Sequence, residues 1–200
     1  SRGRLRQRQG DAAGALADFK HAVELDEKYG PSYNALGYIY LSQGKADEAR
    51  EAFTRYVQLS PKEPNAHDSL AYWHLRRGEL DQAADAARKA IALDAKFLPA
   101  HAKLGDALLF SNVGGLARKS YGVLAAAEDP AQRHEGAMRA ARSYLFEGPG
   151  LSSNRAMADA ERGLLSEVEA ARKARRGADQ VHALVELGRL QIERNNLYDA

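Results

Sequence analysis

The stretch from Gly30 to Glu63, GPSYNALGYIYLSQGKADEAREAFTRYVQLSPKE, decides the fold. Tyr33, Leu36, Gly37 and Tyr40 stand at i, i+3, i+4 and i+7, which is one face of a helix. Gln43-Gly44-Lys45 interrupts that stripe, a second one follows through Ala46, Ala49, Phe53, Val57 and Leu59, and Ser60-Pro61 closes the unit. The pattern predicts a helix, a short turn and an antiparallel helix. Gly37 and Ala49 fall where the two helices approach most closely, and a larger side chain there would push the axes apart. Gly44 lies just past the first helix, where a left-handed backbone is cheapest for glycine. Pro31 and Pro99 stand at the start of a first helix, where the missing N–H costs nothing.

The unit recurs. Ala15, Ala49, Ala83 and Ala117 are evenly spaced, and Gly10, Gly44 and Gly78 keep the same interval. Leu25, Leu59 and Leu93 repeat in step, as do Leu36, Leu70 and Leu104. Such a period marks an all-α solenoid, in which each unit buries its apolar face only against its neighbours. The chain divides into a partial repeat at 1–29 and full repeats at 30–63, 64–97 and 98–131. A lengthened irregular repeat at 132–180 and a truncated one at 181–200 follow. Beyond Pro130 the strict period lapses. Helical patterning continues through Ala137, Ala141, Tyr144 and Leu145, and Gly148-Pro149-Gly150 breaks it. Ser152 and Ser153 then precede a long helix carrying Met157, Ala160, Leu164, Val168 and Ala171, which Gly177 ends. A last unit opens with Leu184 and Leu187-Gly188. With both ends inside a repeat, the chain reads as a piece of a longer protein.

These residues resemble the tetratricopeptide repeat, a 34-residue pattern of an aromatic, Leu-Gly, Tyr, Ala, Phe, a further small residue and Pro. Here it reads Tyr33, Leu36-Gly37, Tyr40, Ala49, Phe53 and Pro61, with Tyr56 where a small residue is usual. The next unit reads His67, Leu70-Ala71, His74, Ala83, Ala87 and Ala90; the third reads His101, Leu104-Gly105, Leu108, Ala117 and Tyr121. Ala15, Phe19 and Ala22 supply the opening half-unit, so the likeness covers about the first 130 residues. It implies a right-handed superhelix whose first helices line a concave face, commonly the ligand groove of the family.

Carrying the groove-facing offsets across gives Asn34, Tyr38 and Ser42, then Asn65, Asp68, Tyr72 and Arg76, then Ala102, Asp106 and Phe110. Tyr38 and Tyr72, one repeat apart, stack along the groove as anchors or pack between adjacent first helices. Tyr and Arg are the residues most often at energetic centres of interfaces. The Lys, Asn and Arg clamp by which some family members hold a C-terminal carboxylate is not reproduced. Asn34 is the comparable amide, but Asp68 and Asp106 stand in the following units and would repel an acidic tail. A ligand with a basic or amide-rich face fits better.

Other signals lead elsewhere. His67, His74 and His101 occupy positions that Tyr33 and Tyr40 hold in the unit from Gly30, so packing explains them better than a metal. Asn112-Val113-Gly114-Gly115-Leu116-Ala117-Arg118-Lys119-Ser120 fails as a phosphate loop, since Arg118 stands where Gly must precede Lys-Ser and no strand comes before. The two glycines read as a loosened turn. Arg172-Lys173-Ala174-Arg175-Arg176 complements a helix C-terminus and is balanced by Glu161, Glu167 and Glu169. Arg2, Arg4, Arg6 and Arg8 alternate rather than share a face, and read as solvated end residues.

A net charge of +2 and 28% charged residues raise no field that points to nucleic acid. No run reaches the roughly 18 apolar residues of a membrane span, and no signal-peptide pattern follows the basic start. The absence of cysteine excludes disulfides and thiolate metal sites; compartment stays open, and the Ala- and Arg-rich composition suggests a bacterial source. No nucleophile–base or paired-carboxylate arrangement stands at mechanistic spacing. The expectation is a non-catalytic, cofactor-free scaffold that binds a protein or peptide through its concave face. The alternatives are a regulatory or docking arm of a larger enzyme, such as a glycosyl transferase or signalling enzyme, and self-assembly through uncapped repeat ends.

Overall fold

The computed structural model describes residues 2–145, together with Ala158, Arg162 and Leu165. The long helix expected after Ser153, the basic run at Arg172–Arg176 and the final unit lie outside the described residues, save those three positions, all helical. Nine helices and no strand occur among the described residues. In order they are α1 (Arg2–Arg8), α2 (Ala12–Leu25), α3 (Gly30–Ser42), α4 (Ala46–Leu59), α5 (Pro64–Arg77), α6 (Leu80–Leu93), α7 (Leu98–Phe110), α8 (Gly114–Ala125) and α9 (Pro130–Leu145). The starts of α3, α5 and α7 are evenly spaced by one sequence repeat, and so are those of α2, α4, α6 and α8. The fold class is an all-α solenoid of helical hairpins.

The turns follow from backbone sterics. Gly10, Gly44 and Gly78 all have positive φ, between 74° and 81°, the left-handed region that lets a helix end sharply. At the same place one unit later stands Asn112, with φ 60°, the non-glycine residue type that tolerates this conformation best. The expectation that Gly114-Gly115 loosens this turn therefore gives way. Gly114 opens α8 and is buried, while the turn itself belongs to Asn112.

The chain forms two compact units, Ser1–Ala107 and Leu108–Ala200. In the first unit the interior runs from hairpin to hairpin. Ala15 and Phe19 of α2 pack with Leu36 and Ile39 of α3 and Ala52 of α4; Ala49 and Phe53 pack with Trp73 of α5; Ala71 packs with Ala86 and Ala87. Trp73 also donates its Nε1–H to the Ala46 carbonyl at 2.8 Å, joining consecutive hairpins, and the Arg50 guanidinium lies 5.9 Å from its ring centre. In the second unit Leu109, Ala117 and Tyr121 form one cluster, with Leu108 and Ala140 packed on it.

Three particulars depart from the sequence pattern or enlarge it. Tyr56 takes the place of a small residue because Gly30 vacates the space: a Cβ on Gly30 would lie 2.9 Å from the Tyr56 ring. Gly136 marks a further close approach, since its Cβ would meet the Leu124 carbonyl carbon at 2.6 Å. Arg2 and Arg6 are tied into the fold, although Arg2 stays exposed. One helical turn apart on α1, they share a face, and both bind Asp18 of α2, at 2.6 Å and 3.1 Å. The Arg2 guanidinium holds the Asp18 carboxyl below the usual carboxylate range.

The crossing of α3 on α4 is a tight constraint in the first unit. A Cβ on Gly37 would stand 2.5–2.7 Å from three atoms of the Phe53 ring, and Phe53 is fully buried. Gly37→Ala is therefore expected to cost about 1–3 kcal/mol by overpacking. Gly122, in α8 with nothing within 4 Å of its would-be Cβ, should instead gain up to about 1 kcal/mol as Ala. Urea unfolding of the two variants checks both signs at once.

Candidate functional site

The face proposed for a ligand is carried by the first helices α3, α5 and α7. Side chains at i and i+4 on a helix lie one above another, so Asn34, Tyr38 and Ser42 form one column on α3, and Asp68, Tyr72 and Arg76 another on α5. The columns are separated by one repeat in sequence, so equivalent positions meet across neighbouring hairpins. Tyr38 and Tyr72 do meet, with ring centres 5.7 Å apart and planes tilted by 36°.

Tyr38 is held from three sides. Its ring stands edge-on to Phe53 at 5.1 Å, its hydroxyl lies 3.3 Å from Ser69 Oγ, and Tyr72 covers a further flank. Burial pushes its phenol pKa up, against the opposing effect of the Ser69 hydrogen bond. Tyr38 therefore packs between adjacent first helices. Tyr72, like Tyr38, is half-buried.

Asn65 and Asp68 are also engaged internally. The Asn65 side-chain amide donates to Tyr56 Oη at 3.3 Å, and Ser69 Oγ donates to the Asn65 carbonyl at 2.9 Å. Asp68 is only 3% exposed and pairs with Lys103 Nζ of α7 at 2.9 Å. Desolvation raises its carboxyl pKa, and Lys103 partly offsets the shift. The expectation that Asp68 presents a bare carboxylate to a ligand thus gives way to an internal ion pair, and the charge argument against an acidic ligand loses Asp68. Lys103 escaped the sequence reading. Its signal was a separation from Asp68 of one repeat plus one position, which sets facing side chains on adjacent first helices.

What the face leaves open is smaller than expected and better defined. Asn34 Oδ1 is buried and accepts no hydrogen bond. Arg76, in the last turn of α5, is exposed and makes no ion pair among the described residues. Ser42 donates to the Ile39 carbonyl at 2.7 Å, Ala102 is buried, and Asp106 is half-buried. Phe110, 60% exposed, belongs to the second unit. The three histidines are tied as well: His67 Nε2 to the Pro61 carbonyl at 2.8 Å, His101 Nε2 to the Ala95 carbonyl at 2.9 Å, and His74 Nδ1 to Glu79 at 2.7 Å. Among the described residues no three His, Cys, Asp or Glu side chains gather as a metal site. No helix there is long and apolar enough to cross a membrane.

The tetratricopeptide-repeat profile matches residues 1–64 and again 34–96. The chain is a tetratricopeptide-repeat protein. Solved structures agree in fold across more of its length. A thermophilic tetratricopeptide-repeat protein of Thermus thermophilus superposes with a TM-score of 0.71 at 18% identity, over 95% of each chain. MamA gives 0.70 at 22%, over 85% of this chain and 96% of its own. YrrB, described as a tetratricopeptide-repeat protein with an unusual peptide-binding site, gives 0.63 at 16%, over 80% and 82%. The fold also occurs inside a larger enzyme: 71% of this chain matches 25% of a Thermobaculum terrenum O-GlcNAc transferase, at TM-score 0.51 and 22% identity. At these identities the likeness is one of fold. No curated protein matches the chain in sequence.

The Asp68–Lys103 pair makes a pH prediction. A carboxyl whose folded pKa is raised favours the folded state while it is protonated, and that contribution is lost as pH rises through the folded value. From about pH 4, the ordinary aspartate range, upwards, the melting temperature of the parent chain should fall relative to Asp68→Asn. Paired thermal melts in steps from pH 3.5 to 7 check this; a difference that stays constant, or grows in the parent's favour, contradicts it.

Proposed function

We propose that this tetratricopeptide-repeat chain is a non-catalytic scaffold that binds a peptide or partner-protein segment along the first-helix face of α3 and α5. The observation that carries the reading is Asn34. An acceptor with no partner costs about 1–3 kcal/mol; its oxygen is closed off in this structure, and a turn of the side chain towards the face would bring it within reach of an N–H of an extended ligand. Tyr72, which stacks on Tyr38 one turn along α3 from Asn34, offers a partly exposed aromatic residue, and Arg76 an exposed cation at the end of the α5 column. Tyr and Arg are enriched at interface hot spots. Tyr38, Ser69 and the Asp68–Lys103 pair serve as the rigid floor that holds these groups, so little ordering entropy is lost on binding. YrrB, described as having an unusual peptide-binding site, lends support to a peptide ligand for a protein of this fold. The O-GlcNAc transferase gives weight to a second reading, in which the same face docks substrates or regulators for a catalytic domain elsewhere in a longer protein.

Asn34→Ala separates binding from packing. Removing an unsatisfied buried group should leave the melting temperature equal or higher, whereas a structural asparagine would lower it. In affinity capture from the source cell, the partner retained by the parent should fall at least tenfold with Asn34→Ala and with Tyr72→Ala/Arg76→Ala. Undiminished capture by both variants refutes the assignment of this face.

A further inference from the structure

A second surface of the first unit is built differently. Between α3 and α4 lies an open cavity of about 750 Å³, lined by Tyr33, Leu36, Tyr40 and Ala52, with Glu48, Glu51, Arg50, Arg55 and Gln58 among its polar residues. At about 100° per helical residue, Asn34 and Tyr38 stand about 100° and about 140° round α3 from Tyr33, so this surface is distinct from the face assigned above.

The repeat supplies an internal control on which groups are free. Both arginines have partners inside the chain: Arg55 donates to Gln58 at 3.4 Å, and Arg50 lies over Trp73. Glu48 and Glu51 have no hydrogen bond or ion pair among the described residues, and neither do the hydroxyls of Tyr33 and Tyr40. One unit on, the places of Tyr33 and Tyr40 are taken by His67 and His74, whose rings bind Pro61 and Glu79. The places of Glu48 and Glu51 are taken by Gln82 and by Asp85, the latter paired with Arg88 at 2.9 Å. In the third unit they are Leu116 and Lys119. Two free carboxylates above two aromatic walls therefore occur together in the α3–α4 hairpin and not at the equivalent places of the next two units. Acidic residues early in a helix also complement its dipole, which accounts for Glu48 but not for the cavity or the paired tyrosines.

We propose that this cavity docks a basic partner segment, taking a Lys or Arg side chain between Tyr33 and Tyr40 with its charge against Glu48 and Glu51. The cation would lie against the aromatic faces, and the carboxylates would supply charge-assisted hydrogen bonds.

A fluorescein-labelled hexa-arginine peptide, with a hexaglutamate peptide as counterpart, tests this by fluorescence polarisation on the full chain. Binding of the arginine peptide should weaken tenfold or more in Glu48→Gln/Glu51→Gln and in Tyr33→His/Tyr40→His, which install side chains of the following unit's type. The surface variants Glu48→Gln/Glu51→Gln should keep the parent's helical circular dichroism, so that loss of binding is not loss of fold. Asp81→Asn/Asp85→Asn on α6 should bind as the parent does, and so should Tyr72→Ala/Arg76→Ala, which isolates this surface from the α3–α5 face. Equal weakening by the α6 pair, undiminished binding by the Glu48/Glu51 pair, no arginine-peptide binding, or equal binding of hexaglutamate would each overturn the proposal.

Discussion

The close crossing of the two helices in each hairpin governs everything else in this chain. Ala15, Ala49, Ala83 and Ala117 are each fully buried at 0% exposure, one on the second helix of each of four consecutive units. A methyl is the largest group such a crossing admits without parting the axes, and its return at the same place in every unit makes successive hairpins near-copies. Interiors pack at crystal-like density, so a misplaced methylene is felt by its neighbours. Once the crossing is set, the chain has to reverse within a very short turn, which is why positive φ recurs at Gly10, Gly44, Gly78 and Asn112.

Hairpins alone do not make a stable array; their neighbours do. In the first unit the joins are of different chemistry. Trp73 contributes a buried ring and a hydrogen bond to Ala46, and Tyr38 reaches Ser69. Asp68 reaches Lys103 across from α5 to α7. Neutral hydrogen bonds of this kind contribute about 0.5–1.5 kcal/mol net, while the buried ion pair adds little after desolvation but makes the loss of either partner costly. Such joins consume polar groups that family offsets alone assign to a ligand. What survives them, Asn34, Tyr72 and Arg76 on one face and Tyr33, Tyr40, Glu48 and Glu51 on another, is the basis of both binding proposals.

Much of the fold was legible because periodicity is a one-dimensional signal. The helix–turn–helix unit, the small residues at Gly37 and Ala49, and the left-handed Gly44 all follow from residue type and spacing. Less visible was anything that depends on which neighbour a side chain chooses. Asp68 reads as a groove carboxylate until Lys103 is placed beside it. Asn65 reads as a groove amide until Tyr56 intrudes where a small residue is usual and takes its donor. Arg2 and Arg6 look like an alternating basic end until their one-turn spacing meets Asp18. Asn112 shows the complementary lesson, since the two glycines next to it drew attention from the residue that makes the turn.

Register at the crossing is open to one direct measurement. Urea unfolding of Ala49→Leu, Ala83→Leu and Ala117→Leu can be set beside Glu48→Leu and Gln82→Leu, each one position earlier in the same helix. The equivalent earlier place in the third unit, Leu116, already carries a leucine and is 46% exposed. The crossing predicts a loss of about 1–3 kcal/mol for each alanine variant and changes within about 0.5 kcal/mol for the outward pair. Equal effects in the two sets would contradict the stacked-hairpin account at its root.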